Sequence, residues 1–317
     1  MSSTAASTTY PLTQPKGYNL ATAQTCIALV NVAIDMVKQW EQITDPPGNW
    51  KWFPRDVCKM ACPYPLDYLT IVNPLSNADI LNTTFGTVIG RVDHKMDAKN
   101  EPFGFIATST DGRSAYLIFH GSVTKADWAA DFMAELRPYT APDGTSQGKV
   151  ETGFHTVFNS IANLKDRLQA LKVTNLYVSG HSLGAAVATL CLPAALEWVP
   201  NLKRENVYCY LTGSPKVGDR DFAHYIESHY IENGLGIKFF RTVNLDDPVP
   251  KLPLRPEYVA IAKQNEASFN PPSYGKHNDS PNNHNPCCSY AYALFNPANT
   301  QNLSFGGCDN FVPPPMT

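Results

Sequence analysis

Between positions 21 and 40, apolar residues fall roughly at helical spacing (Ile27, Val30, Val32, Ile34, Met36, Val37), with Asp35 and Lys38 between them. That pattern predicts an amphipathic helix packed on a sheet rather than on a membrane. From Thr84 the pattern shortens to strand length: 85–92 and 103–108 read as strands, and Thr110-Asp111-Gly112-Arg113 as the turn leading into a buried strand over 115–119. A second helical pattern covers 153–171, where Phe154, Val157, Phe158, Ile161, Leu164, Leu168 and Leu171 share a face. It feeds a short apolar strand at 176–178, after which small and aliphatic residues predict a helix to about Trp198. Strands are expected again at 206–212 and 237–243, with a helix over 219–230 between them. Strands separated by helices of this length imply parallel order with right-handed crossovers, hence an α/β architecture. Residues 1–20 read as a polar surface arm, and 45–65, rich in proline and aromatics, as an irregular segment that could border a cleft.

The junction at Gly180-His181-Ser182-Leu183-Gly184 changes the picture, because a G-x-S-x-G turn between a strand and a helix is the local context of a nucleophile elbow. Ser182 is the candidate nucleophile. The start of the following helix offers unpaired N–H groups and a positive dipole end, so the N–H of Leu183 is a candidate oxyanion donor. His181 adjoins the nucleophile and is expected to leave the turn in another direction. After 115–119 comes His120-Gly121-Ser122, a small-residue turn ahead of Asp127-Trp128 and Asp131. Ser122 is the candidate for a second oxyanion N–H, although an ordinary strand-to-helix turn has the same look.

At the end of the 237–243 strand stand Asp246 and Asp247, before Pro248-Val249-Pro250. Ends of parallel strands are where such sheets place ligands, and a carboxylate there can orient a histidine; either aspartate fits. His284 follows a polar loop over 265–283 and precedes a helix around 290–294, completing the order Ser, Asp, His; His277 flanks the same loop as its rival.

The 317 residues are 43% hydrophobic and 17% charged, which suits one α/β domain over 1–317, with its core at 85–295. A net charge of −3 without charge blocks argues against a nucleic-acid partner, and no apolar run is read as long enough to span a membrane. The first residues lack the features of a signal peptide, so the expectation is a protein kept inside the cell or one whose leader has been removed. Cys191 and Cys209 read as small buried hydrophobes, whereas Cys26, Cys58, Cys62, Cys287, Cys288 and Cys308 cluster near the ends, where they could form staples in an oxidising compartment. Zinc on Cys58, Cys62, His277, His284 and Cys287 is the weaker alternative, since no second cysteine pair of the expected kind accompanies the first.

Several segments together resemble the class 3 lipases, the group of fungal triacylglycerol lipases and feruloyl esterases: IFHGS, DWAAD, GHSLGAAVATL, TGSPKVGD and NLDDPVPKLP, in the family's order over about 85–295. The resemblance implies an α/β-hydrolase fold, a mostly parallel central sheet flanked by helices, with a short helical lid over 123–133. It implies a triad of Ser182, Asp247 and His284, an oxyanion hole from Ser122 and Leu183, and no metal or organic cofactor. The implied activity is ester hydrolysis through an acyl-enzyme. A lid with Val123, Ala126, Trp128, Ala129, Phe132 and Met133 on one face and Lys125, Asp127 and Asp131 on the other suits a lipid substrate at an oil–water interface. Soluble-ester (feruloyl) esterase, phospholipase and an inactive lipid-binding protein are the alternatives; a monomer is expected, outside the cell rather than in the cytoplasm. Two departures from the family pattern stand out: His120 where arginine is common, and Glu151 where histidine is.

Overall fold

The computed structural model describes residues 10–42, 84–85, 88–92, 95–99, 103–109, 111–121, 135–161, 164–231, 236–270 and 283–300. Ser122, the expected lid over 123–133, His277, Cys58, Cys62, Cys308 and the irregular segment 45–65 lie outside the described residues. In chain order the first elements are α1 (Leu20–Glu41), β1 (Thr84–Phe85), β2 (Val88–Val92), β3 (Lys95–Lys99), β4 (Gly104–Thr108), β5 (Ser114–Phe119), β6 (Leu136–Thr140) and β7 (Ser146–Glu151). Then come α2 (Thr152–Ser160), α3 (Leu164–Gln169), β8 (Asn175–His181), α4 (Leu183–Trp198), β9 (Val207–Thr212), β10 (Gly218–Asp219) and α5 (Arg220–Ile226). The last are β11 (Lys238–Asn244), β12 (Tyr258–Val259), β13 (Glu266–Phe269) and α6 (Tyr292–Phe295).

Seven strands form the main sheet in the order β1-β4-β5-β8-β9-β11-β13. From β5 to β13 every pair is parallel, and β1 and β4 join antiparallel at one edge. Side-chain alternation divides each strand between two cores. In β5, Ala115, Leu117 and Phe119 enter the cluster under α4, and Ile118 enters the cluster under α1. In β9, Val207, Cys209 and Leu211 go one way and Tyr210 the other. Because both faces are covered, these strands are nearly continuous apolar runs, as parallel strands require. The helix α4 is buried from Gly184 through Ala195, so its small residues let it lie directly on the sheet.

Helix α1 corrects one expectation. Leu20–Gln39 is long and apolar enough to cross a membrane by length and composition, which the spacing argument had not recognised. Most of that stretch is buried in the structure, with Ile27, Leu29, Val30 and Met36 against Phe105, Ile118 and Phe240. Other boundaries also differ. The expected strand over 85–92 is divided between β1, at the edge of the main sheet, and β2, which pairs with β3 in a separate two-stranded sheet. The expected helix over 153–171 breaks at Ile161, which is buried in an extended conformation as the cap of α2. Hairpin β6–β7, part of a second sheet in the order β12-β10-β7-β6, was not expected at all. Nor was β13, inside the presumed polar loop, where Thr13 of the N-terminal arm pairs with Ser268.

The cysteines split. Cys26, Cys191 and Cys209 are free and buried, so Cys26 takes no part in the terminal staples expected of it. Burial pushes the thiols of Cys26 and Cys191 up to about 12, making them inert small hydrophobes. Cys287 and Cys288 are disulfide-bonded.

Near the N-terminal ends of the strands, Tyr116, Tyr177 and Tyr208 stack in register across β5, β8 and β9 with ring centroids 4.7 Å apart. The ammonium of Lys238 sits 4.4 Å from the last ring. Cross-strand aromatic pairs of this kind stabilise a sheet by about 0.2–1 kcal/mol each, beyond the area they bury. Tyr177→Ala, which removes the middle ring, is expected to lower unfolding stability by about 2 kcal/mol, read from the urea midpoint. An unchanged midpoint would show that the ladder contributes nothing.

Candidate active site

Ser182 lies between β8 and α4 with φ 56 and ψ −125, a strained conformation for a residue with a side chain. The surroundings hold it there. A Cβ on Gly180 would lie 2.3 Å from the backbone of Gly184, and one on Gly184 would lie 2.3 Å from the carbonyl of His120. Only glycine at both positions lets strand, turn and helix pass this closely. The Ser182 N–H donates to the carbonyl of Thr212 (3.1 Å), tying the turn to β9. Although Ser182 is the N-cap of α4, its hydroxyl makes no capping bond, so it is not committed to the helix. Leu183 opens the helix, where backbone N–H groups have no intrahelical acceptor. The turn after β5 also abuts the site: a Cβ on Gly121 would lie 2.9 Å from the Cβ of Ser182.

At the end of β11 the two aspartates differ in burial. Asp246 is exposed, whereas Asp247 is fully buried. A buried carboxylate must be surrounded by donors, and this one is. Oδ2 accepts from Nδ1 of His284 (2.6 Å) and from the hydroxyl of Tyr290 (2.5 Å), while Oδ1 accepts from the N–H of Val249 (2.9 Å). Burial and the adjacent Asp247 charge push the Tyr290 hydroxyl well above its ordinary pKa, so it stays a donor. The same hydroxyl accepts from the N–H of Asn244 (3.3 Å). Asn244 in turn donates its amide to the carbonyl of Asn283 and to Ser289 Oγ, both at 3.0 Å, bracketing His284 from either side.

His284 packs where β9 ends. Gly213 there has φ +56, and a Cβ on it would lie 2.9 Å from Cε1 of His284 and 3.0 Å from Cε1 of His181. Arg241 fixes this turn from below, donating through Nη2 to the carbonyl of Ser214 (2.9 Å). The His181 side chain, expected only to leave the turn in another direction, lies against Thr212, His284 and Tyr290. Its ring is buried, 4.4 Å from that of His284, an arrangement no local sequence signal announces. Tyr290 was read only as a helix residue, and its bond to Asp247 was likewise missed. The two departures from the family pattern have local explanations. The ring of His120 lies 4.9 Å from that of Phe103 and its Nδ1–H donates to the carbonyl of Gly121. Glu151 caps α2, accepting from the N–H of Phe154 (2.7 Å). Among the described residues no cluster of metal-ligating side chains occurs, and the disulfide at Cys287 removes that thiolate from the zinc alternative.

Residues 116–257 match the family model Lipase (class 3). The lipase of Rhizomucor miehei is 33% identical over 153 residues, 47% of this chain and 40% of that one. Over this stretch the chain is similar to the class 3 lipase family. A second relative in the same comparison, "Secreted mono- and diacylglycerol lipase 2" of Gibberella zeae, is 29% identical over 212 residues, 59% of this chain and 50% of that one. These matches span less than two-thirds of either relative's length. The crystal structure of a lipase from Rhizopus microsporus var. chinensis aligns with a TM-score of 0.51 at 22% identity, over 78% of this chain and 73% of that one. The fold is therefore the α/β-hydrolase fold, with a mostly parallel sheet flanked by helices, as the resemblance implied. Within the family match lie His120, Ser182 and Asp247, while His284 lies beyond it and is joined to the rest by geometry.

Tyr290→Phe removes one donor from Asp247 and leaves the Asn244 N–H without its hydroxyl acceptor. The expected loss is about 1–3 kcal/mol of unfolding stability at neutral pH. Urea denaturation matching the parent would show that the hydroxyl does not hold the carboxylate.

Proposed function

We propose that this chain is a serine-dependent carboxylic ester hydrolase, a triacylglycerol lipase acting through an acyl-enzyme on Ser182. The observation that carries the reading is the 2.6 Å contact between the buried Asp247 and His284, beside a serine held in a strained elbow. In this reading Asp247 accepts from Nδ1–H of His284 and fixes its tautomer, leaving Nε2 to take the Ser182 proton. Ser182 Oγ attacks the ester carbonyl, and the oxyanion is stabilised by the N–H groups of Leu183 and Ser122. His284 then returns the proton to the leaving alkoxide, and water cleaves the acyl-enzyme by the same steps in reverse order of partners. The packing of Gly121 against Ser182 supports the assignment of Ser122, the next residue.

An acylglycerol substrate is supported by the family and by relatives named as lipases, one of them a mono- and diacylglycerol lipase. The segment over 123–133 serves as a lid whose apolar face turns to lipid, on the strength of its amphipathic sequence. The chain works as one domain, supported by a seven-stranded main sheet whose two faces carry the two main clusters. It works outside the cell, supported by the relative named as secreted and by the disulfide-bonded Cys287 and Cys288.

The test is hydrolysis of p-nitrophenyl esters from short to long acyl chains, with emulsified triacylglycerol and phosphatidylcholine alongside. Activity on long chains and on the triacylglycerol emulsion is expected. It should be abolished in Ser182→Ala and in His284→Ala, reduced about 10³- to 10⁴-fold in Asp247→Asn, and kept in His277→Ala. Activity confined to short soluble esters, or to phospholipid, would overturn the substrate; full activity in Ser182→Ala would overturn the chemistry.

A further inference from the structure

The residue before Ser182 has no role in the acyl-transfer scheme, yet its side chain lies at the site. The ring of His181 is buried, its Nδ1 is 3.1 Å from Thr212 Oγ1, and its centroid is 4.4 Å from that of His284 with the planes 34° apart. Tyr290 meets it edge-on at 5.3 Å. The other side of the pair is set by Gly213, whose missing side chain leaves the space that the Cε1 edges of both imidazoles occupy.

We infer that His181 is a positioning residue for His284: a flat, neutral ring anchored on Thr212, against which the face of the second imidazole rests. This deepens the triad reading and rests on it. The physical need is specific. The hydrogen bond from Nδ1 of His284 to Asp247 fixes one atom of the ring, and the contact with His181 on the ring face constrains the orientation of its plane. With the plane constrained, Nε2 keeps a fixed direction. Small displacements of this kind change rates greatly, because proton transfer requires hydrogen-bond reach and alignment.

The role also requires that His181 carry no charge. His284 becomes imidazolium each time Ser182 is deprotonated, and a second cation in contact with it would oppose that step. Burial, and then the neighbouring His284, hold His181 well below the ordinary histidine pKa, so it stays neutral. The titratable groups facing it are His284 and Tyr290, and burial keeps the Tyr290 hydroxyl protonated and uncharged.

The test compares His181→Ala, which removes the ring, with His181→Phe, which keeps a flat face and discards both nitrogens. Both are measured in the full chain by steady-state p-nitrophenyl butyrate hydrolysis and by the rate of Ser182 labelling with a fluorophosphonate. Circular dichroism melting accompanies each. The expected result is a fall of about tenfold or more in kcat and in labelling rate for His181→Ala, with KM within about twofold. His181→Phe should recover most of the loss. Equal rates in parent and His181→Ala overturn the inference, as does a His181→Phe enzyme that melts like the parent and is as slow as His181→Ala. If His181→Ala does not fold, Thr212→Val frees the anchoring nitrogen while keeping the shape. It should lower kcat about threefold with KM unchanged, and parental kcat there overturns the inference. Ser182→Ala separates the two levels. Turnover that survives Ser182→Ala removes the triad and this inference with it, whereas turnover lost there but unchanged in the His181 variants overturns only the positioning role.

Discussion

A buried carboxylate is the constraint on which the rest of the site depends. Asp247 has no exposure, and an ionised group taken out of water is destabilising unless donors replace its hydration. Three donors do so here, from two distant parts of the chain: Val249 from the turn after β11, His284 and Tyr290 from the segment that returns last. Satisfying the charge therefore closes the topology. Asn244, one turn earlier, repeats the closure with bonds to Asn283, Ser289 and Tyr290. The aromatic body of Tyr290 meanwhile belongs to the core under α1, so the polar clamp and that apolar core share a side chain.

The second constraint is steric and lies one strand away. A residue at φ 56 is unfavourable by roughly 1–3 kcal/mol, and it persists only where its surroundings leave no alternative. Gly180, Gly184 and Gly121 bring three backbones within contact of the Ser182 turn, so any relaxation would collide with β8, α4 or the turn after β5. Burial of α4 on the sheet supplies the opposing stabilisation. Its fully buried Val187, Leu190 and Leu192 each contribute about 1.5–3 kcal/mol.

What was legible in the sequence was what short-range pattern encodes. Strand, turn and helix around Ser182 read correctly because the glycine spacing and apolar run are contiguous, and α4 ends at Trp198 as its composition indicated. The central parallel strands were legible for the same reason. Hairpin β6–β7 escaped because it is mostly polar and half-exposed, with Arg137, Pro138 and Lys149 in its ladder. Strand β13 escaped because four residues with only Ala267 and Phe269 buried carry too little periodicity. The break in the helix over 153–171 arises from tertiary burial of Ile161, which no propensity states. At the site, Asp247 was one of two equal choices until a family pattern selected it, and burial gives the physical reason. His181 and Tyr290 were illegible because their roles depend on rings meeting across the ends of different elements, and nothing in a one-dimensional pattern encodes that.

The strand order explains why the empty space at Gly213 is as necessary as any side chain. β5, β8, β9 and β11 run parallel, and their C-terminal ends deliver in turn Gly121, Ser182, Gly213 and Asp247. Neighbouring strands lie about 4.8 Å apart, so serine and aspartate, with β9 between them, stand roughly 10 Å apart at the sheet. No direct contact can span that gap, so in the proposed triad the bridging imidazole lies above the end of β9. It cannot come from β9 itself without filling its own site, so it arrives from the far end of the chain, as His284 does. The end of β9 must then present no side chain and turn its backbone aside. A glycine at φ +56, held by Arg241 through the next carbonyl, does both.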